Sequence, residues 1–324
     1  MSKFLITGAS GYLGNQLSHD LVYEGHEVMG FDQDMRQGIV PQNIRFVNYS
    51  LSDFDHLHEP FWSAFKFDGV FHLAAKAVVQ ESFQQPDVYY HSNVSGTISL
   101  LKSMRRAKVD VPVVFASSCA IYGDCDFGKT LKEEDDKWLN SPYAHSKRMC
   151  EQILSDFADS YKTPFAAMRI FNIVGADPLG RCGDMNWSGT RLLPNILECR
   201  RLKKPLTVCG QNSIRDYVHV KDVSDALMRA MDYLRTGGRM QTFNVCTGVG
   251  TSVTEMVAAV DHRIIGESTE IRAGDDLKEP SYVVGNNDFA KSILGWSPKY
   301  SLDDAIHHAD GFHYGKRMDI LGIE

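Results

Sequence analysis

No apolar run in these 324 residues approaches the roughly 20 needed to cross a bilayer, so no transmembrane helix and no membrane partner is expected. The N-terminus lacks the charged start, long apolar stretch and small-residue cleavage site of a signal peptide, and runs straight into Lys3-Phe4-Leu5-Ile6-Thr7-Gly8. There is no excess of positive charge. The net charge of −7 argues against nucleic acid as the main partner. Seven cysteines are present, at 119, 125, 150, 182, 199, 209 and 246, with no CxxC pair and no spacing of a metal site or disulfide framework. Free thiols in a reducing cytoplasm, and no bound metal, are the expectation. Internal repeats, low-complexity tracts and long linkers are also missing.

What is present is alternation. Short apolar runs at Phe4–Thr7, Glu27–Phe31, Ile44–Val47, Gly69–Leu73, Val111–Ala116 and Phe165–Phe171 are separated by amphipathic stretches such as Leu13–Glu24, Val94–Ala107 and Ala144–Tyr161. Strands alternating with helices predict βαβ units and a mostly parallel sheet. After about Gly175 the pattern loosens, and it becomes regular again over Asp216–Met231 and Thr242–Cys246. The expectation is an α/β chain: a doubly wound domain over residues 1–175 to which 216–247 return, and a smaller discontinuous C-terminal lobe from 176–215 and 248–324. The cleft between them is the natural ligand site.

Gly8-Ala9-Ser10-Gly11-Tyr12-Leu13-Gly14 directly follows the first strand. In a phosphate-binding turn Gly8 permits the tight turn, Gly11 admits a pyrophosphate to the backbone, and Gly14 lets helix and strand pack closely. The helix N-terminus then offers N–H groups to the anion. Asp32 ends the second strand, where it can accept hydrogen bonds from an adenosine ribose and would repel a 2′-phosphate. The doubly wound domain is therefore expected to be Rossmann-type and to bind NAD in preference to NADP.

Tyr143-Ala144-His145-Ser146-Lys147 places a phenol and an amine on one helix face, and Pro142 suits the first turn. A nearby ammonium, with the charge of oxidised nicotinamide, is expected to lower the tyrosine pKa and make it a proton acceptor for an alcohol. A YxxxK pair alone is most often structural. Val113-Val114-Phe115-Ala116-Ser117-Ser118 supplies the serine-tipped strand that makes it specific.

Together these segments resemble the extended short-chain dehydrogenase/reductase family of NAD-dependent sugar-nucleotide epimerases and dehydratases, most of all its UDP-glucose 4-epimerase branch. Residues 7–14 match its TGxxGxxG, Asn93-Val94-Ser95-Gly96-Thr97 its NVxGT, and Ser141-Pro142-Tyr143 through Lys147 its SPYxxSK. Arg169-Ile170-Phe171-Asn172-Ile173-Val174-Gly175-Ala176 resembles RYFNxxGA, Arg215-Asp216-Tyr217-Val218-His219-Val220 matches RDYIHV, and Gly295-Trp296-Ser297-Pro298 resembles GWxP. The resemblance implies Ser118, Tyr143 and Lys147 as catalytic residues. For NAD it implies Gly8, Gly11, Tyr12, Leu13, Gly14, Asp32, Ser50, Leu51, Leu73, Ala74, Ala75, Lys76, Asn93, Ser117, Tyr143, Lys147 and Phe171. Ser50 stands where the family often has an aspartate. For a UDP-sugar it implies Ser118, Tyr143, Asn172, Thr207, Cys209, Arg215, Arg272 and Tyr282, with Tyr282 narrowing the sugar pocket. Pairing of Val88–Met104 and Ala144–Ala158 between subunits would make a homodimer.

The reaction that the resemblance implies is NAD-dependent 4-epimerisation of UDP-glucose and UDP-galactose through a 4-keto sugar. The alternatives are other sugar-nucleotide enzymes of the family. A 4,6-dehydratase would place Asp-Glu where Cys119-Ala120 stand, and a keto-sugar reductase would need NADPH, which Asp32 disfavours. An epimerase for a different nucleotide sugar and a non-catalytic NAD sensor complete the alternatives. His72 and His219 are expected to be structural, Cys119 a buried filler, and His307 and His308 part of a solvated face.

Overall fold

The structure is a computed structural model and describes residues 1–34, 40–51, 59–123, 125–135, 139–186, 191–208, 210–264, 266, 268–274 and 280–321, with only the backbone of 59, 60 and 316–321. Its strands are β1 (Lys3–Thr7), β2 (Glu27–Asp32), β3 (Arg45–Asn48), β4 (Gly69–His72), β5 (Val113–Ser118), β6 (Phe165–Ile170), β7 (Asn172–Val174), β8 (Leu206–Val208), β9 (Ile214–His219), β10 (Gln241–Val245), β11 (Gly250–Ser252), β12 (Ile271–Ala273) and β13 (Tyr282–Val283). Its helices are α1 (Tyr12–Tyr23), α2 (Glu59–Phe65), α3 (Val79–Gln84), α4 (Pro86–Tyr89), α5 (Gly96–Arg106), α6 (Pro142–Tyr161), α7 (Leu192–Leu202), α8 (Val220–Arg235), α9 (Val253–Arg263), α10 (Asp288–Leu294) and α11 (Leu302–Leu321).

Seven strands form one parallel sheet in the order β10-β6-β5-β4-β1-β2-β3. The order reverses beside β1, which is where a doubly wound sheet opens a ligand crevice. Each face is covered by helices. Leu17 and Leu21 of α1 and Val223, Ala226, Leu227 and Ala230 of α8 pack on one side. Trp62 and Phe65 of α2, Leu100, Leu101 and Met104 of α5, and Cys150 and Leu154 of α6 pack on the other. Helices on both faces explain why these strands read as continuous apolar runs.

A second, four-stranded sheet joins β11, β9, β13 and β7, and β8 pairs with β12. A separate core under α7, α9 and α11 contains Leu193, Ile196, Val257, Val260 and Ile306. The chain returns to the large sheet through α8 and β10. Trp296, fully buried, donates through Nε1 to the Asp222 carbonyl at 2.9 Å, and the Asp222 carboxylate accepts the Lys299 and Tyr300 amides at 3.0 Å each. The tryptophan motif is thus a tie between α8 and the C-terminal segment.

The strand limits shift by one or two residues from the expected runs, and two of the shifts are informative. Pro112 has no N–H to give, and the ladder of β5 begins at Val113. The run Phe165–Phe171 is one strand that ends at Ile170, and a further strand follows it. Phe171 makes the last bond to the large sheet, its amide donating to the Val245 carbonyl at 3.0 Å, and Asn172–Val174 pair with β9 instead.

Candidate active site

The first turn is as tight as a phosphate loop needs. Gly8 has φ +76°, and a Cβ there would lie 2.7 Å from the Ala74 nitrogen; at Gly14 it would lie 2.0 Å from the Gly8 carbonyl oxygen. Gly11 caps α1 without any side-chain hydrogen bond, which leaves the first-turn amides for an anion. Asp32 is docked on the same turn, its carboxylate accepting the Ser10 amide at 3.1 Å and the Asp34 amide at 3.3 Å. A bare glycine cradle with an acidic group at the next strand end fits the pyrophosphate and ribose of NAD.

The loop after β4 closes one side. Leu73, Ala74 and Ala75 are half-buried there, and Leu51 packs against Gly96. Asn93 holds this loop: its Oδ1 accepts the Lys76 amide at 2.8 Å, and its Nδ2 donates to the Lys76 carbonyl at 3.1 Å and to Ser146 Oγ at 2.9 Å. Lys76 itself pairs with Glu81 at 3.5 Å. His72 is a satisfied strand histidine, bonded to Thr7 Oγ1 at 2.8 Å and Thr97 Oγ1 at 2.9 Å, and burial drives its pKa down to about 3. His219 is likewise built in: it caps α8 by accepting the Lys221 amide at 3.0 Å and stacks on Tyr300.

Ser118 and Tyr143 meet at the C-terminal end of β5. Ser141 caps α6, its Oγ accepting the Ala144 amide at 3.2 Å, and this sets Tyr143 in the first turn. The Ser118 hydroxyl lies near enough to the Tyr143 phenol to favour its ionised form. Ser118 Oγ also accepts the Ala120 amide at 3.2 Å. Lys147, 3% exposed, lies one helical turn further on and donates to the Ala116 carbonyl at 2.7 Å.

The expected lowering of the tyrosine pKa is not present in the protein alone. Burial pushes Tyr143 up to about 12, with Ser118 pulling it part of the way back, and burial brings Lys147 down to about 8. The expectation rests on the ammonium and the charge of oxidised nicotinamide, and burial opposes both by removing water from around the phenol.

Ser117 points the other way from Ser118, as alternation along a strand requires. Its Oγ donates to Glu151 at 2.6 Å inside a buried group with Arg169, so the Ser117 hydroxyl is engaged within the protein. Phe171 is buried, with Gly285 against its ring, in one apolar cluster with Tyr122, Cys246, Cys119 and Tyr282. Burial pushes the Cys119 thiol up to about 12, and the Arg215 charge next to it acts in the opposite direction. Arg215 therefore joins the Ser118 neighbourhood. Asn172 and Arg215 sit on the small sheet's β7 and β9. Thr207 and Arg272 are register partners across β8 and β12, both exposed, with Arg272 held by Glu270 at 2.9 Å. Tyr282 lies 5.2 Å from the Phe127 ring. Cys209 lies outside the described residues.

Two contributors escaped the sequence reading. Asp216, fully buried, gathers the Thr247 amide at 2.8 Å, the Thr247 hydroxyl at 2.6 Å, the Gly248 amide at 2.8 Å and the Gly285 amide at 3.3 Å, which locks the strands beneath Arg215. Its place between Arg215 and Tyr217 was the available signal. Arg191, whose charge reaches Tyr143, belongs to no motif.

The profile of the NAD dependent epimerase/dehydratase family matches residues 4–246. The chain is 32% identical to UDP-glucose 4-epimerase of Halalkalibacterium halodurans, covering 95% of both chains, and 33% identical to that of Lactobacillus helveticus, covering 96% and 97%. Among solved structures it is similar to UDP-glucose 4-epimerase from Brucella ovis in complex with NAD, with a TM-score of 0.90 at 30% identity over 97% and 99% of the two chains. The enzyme from Stenotrophomonas maltophila with bound NAD and formylated UDP-arabinopyranose gives 0.91 at 27% identity over 98% and 100%.

Proposed function

The chain belongs to the NAD dependent epimerase/dehydratase family, and we propose that it interconverts UDP-glucose and UDP-galactose by NAD-dependent epimerisation at sugar C4. The observation that carries this reading is that Ser118, at the end of β5, lies close enough to Tyr143 to act on its phenol, with Lys147 buried one helical turn further on and anchored to the Ala116 carbonyl of the same strand. NAD bound on that turn supplies a hydride acceptor that can also give the hydride back, which leaves no net redox change. Gly8, Gly11 and Gly14 hold its pyrophosphate, and Asp32 its ribose.

Tyr143 moves the proton of the 4-hydroxyl, and Ser118 holds the same oxygen. A buried phenol with a pKa of about 12 stays protonated near neutral pH, so the positive charge of oxidised nicotinamide would be needed to favour the phenolate that accepts that proton. Lys147 keeps a buried cation one helical turn from Tyr143. Arg215 and Arg272 take phosphate oxygens of the sugar nucleotide, and Asn172, Thr207 and Tyr282 border the sugar and nucleotide. Purified protein incubated with UDP-galactose or UDP-glucose, without added NAD, should form the other sugar. No conversion by protein that carries NAD would refute the reading.

Two further expectations belong to it. Copies of the chain pair through α5 and α6 into a homodimer, a reading supported by the exposed Met149 on α6; a stable mass of 36.4 kDa in light scattering, that of one chain, would contradict it. The protein acts in the cytoplasm, supported by the free cysteines among the described residues. No helix among the described residues is long and apolar enough to cross a membrane.

A further inference from the structure

Arg191 precedes α7 and reaches back to the phosphate turn. Its guanidinium carbon sits 5.3 Å from the centre of the Tyr12 ring, and Tyr12 is the first residue of α1, its hydroxyl donating to the Gly175 carbonyl. Arg191 Nη1 contacts Asp184 Oδ2 at 2.7 Å, and the Asp184 side chain is 8% exposed against 44% for Arg191. The cation is thus parked between an aromatic face and a carboxylate, beside the glycine turn. Its charge also reaches Tyr143, as that of Arg215 reaches Cys119. Two guanidinium groups, one before α7 and one on β9, therefore bear on the Ser118–Tyr143 site. Arg272 is more than half exposed and bound to Glu270.

A cation held by one carboxylate is prepared for a stronger anion. A diphosphate carries more charge than a carboxylate, and its paired oxygens match the guanidinium fork. We propose that Arg191 is a further substrate-binding residue, which exchanges Asp184 for a phosphate oxygen of the nucleoside diphosphate sugar while its guanidinium rests on Tyr12. This rests on the UDP-sugar reading above. The exchange leaves Asp184 without its partner, so affinity reflects the difference between two ion pairs rather than the whole of one.

The test is calorimetric binding of UDP and of uridine to the NAD-loaded protein, which needs no turnover. Arg191→Gln should weaken UDP binding by about tenfold, the lower end for losing a charge-assisted hydrogen bond, and leave uridine binding and NAD content unchanged. Arg191→Lys should fall between, keeping the charge and losing the fork. Asp184→Asn should bind UDP at least as tightly as the parent. Equal UDP affinity in Arg191→Gln and the parent, an equal loss for uridine, or loss of NAD in place of UDP would each overturn the proposal. A parent protein that binds no UDP would instead sink the functional reading beneath it.

Discussion

Replacing Glu151 tests how the catalytic strand end is held. Glu151 is 5% exposed, one turn after Lys147 on α6. Its Oε1 accepts Ser117 Oγ at 2.6 Å and Arg169 Nε at 3.1 Å; its Oε2 accepts Arg169 Nη2 at 2.9 Å and Arg148 Nη1 at 3.2 Å. Ser117 and Arg169 are register partners across β5 and β6, so one carboxylate joins both strands to the helix that carries Tyr143. Arg169 Nη1 continues to the Glu133 carbonyl at 2.8 Å and the Tyr122 hydroxyl at 2.9 Å. Glu151→Ala leaves a buried guanidinium and a hydroxyl without their acceptor. Breaking a buried pair from one side costs about 3–5 kcal/mol. The cleft bordered by Arg148, Glu151 and Gln152 admits water to the vacated space, which favours the lower end, about 3 kcal/mol. For a chain of 324 residues, at about 2.1 cal/mol/K of unfolding entropy per residue, that is a drop in Tm of about 4 °C, read by scanning calorimetry. Removing both charges in Glu151→Leu/Arg169→Met should recover part of the loss, because no charge is then stranded. A drop below about 2 °C for Glu151→Ala, or a double variant whose loss is the sum of the two single losses, would refute the reasoning.

Tyr143→Phe should fold, keep NAD and lose about 10²–10⁴-fold in kcat; near-parental turnover would remove Tyr143 from the chemistry. Lys147→Met should move the rising limb of the pH–rate profile to higher pH, since a buried cation one helical turn from Tyr143 is lost; an unmoved limb would speak against its electrostatic role. Asp32→Ala should weaken the preference for NAD over NADP, measured as bound dinucleotide by mass spectrometry. His72 has its folded pKa at about 3, below the unfolded 6.5, so the unfolded chain takes up the proton first. Stability present above about pH 6.5 should therefore fall with pH toward 3, by at most about 1.4 kcal/mol per unit from this group. His72→Asn should flatten that acid slope in denaturant titrations, and an identical slope would exclude His72 as its source.

Much of this was legible from local pattern. The glycine turn, Asp32 at the end of β2 and the Pro142-Tyr143 start of α6 each follow from neighbours in the chain. What was not legible depends on partners far along it. The apolar run Phe165–Phe171 contains no signal that the chain beyond it, residues 172–174, joins another sheet; only β10 and β9 decide that. The resemblance assigns Ser117 to the cofactor, whereas strand alternation sends its hydroxyl to Glu151. The Tyr143 pKa needed the burial that only the packed fold supplies, and Arg191 acquires meaning only when α7 is brought back onto Tyr12.

The central claim is that hydride leaves sugar C4 and returns to the same carbon on its other face. Incubating the purified protein with UDP-glucose carrying deuterium at C4, and examining the UDP-galactose formed by NMR and mass spectrometry, tests it directly. The account predicts that the deuterium stays at C4 of the product. Exchange of that deuterium with protons from water would contradict it, because the hydrogen would then have moved as a proton and not as a hydride.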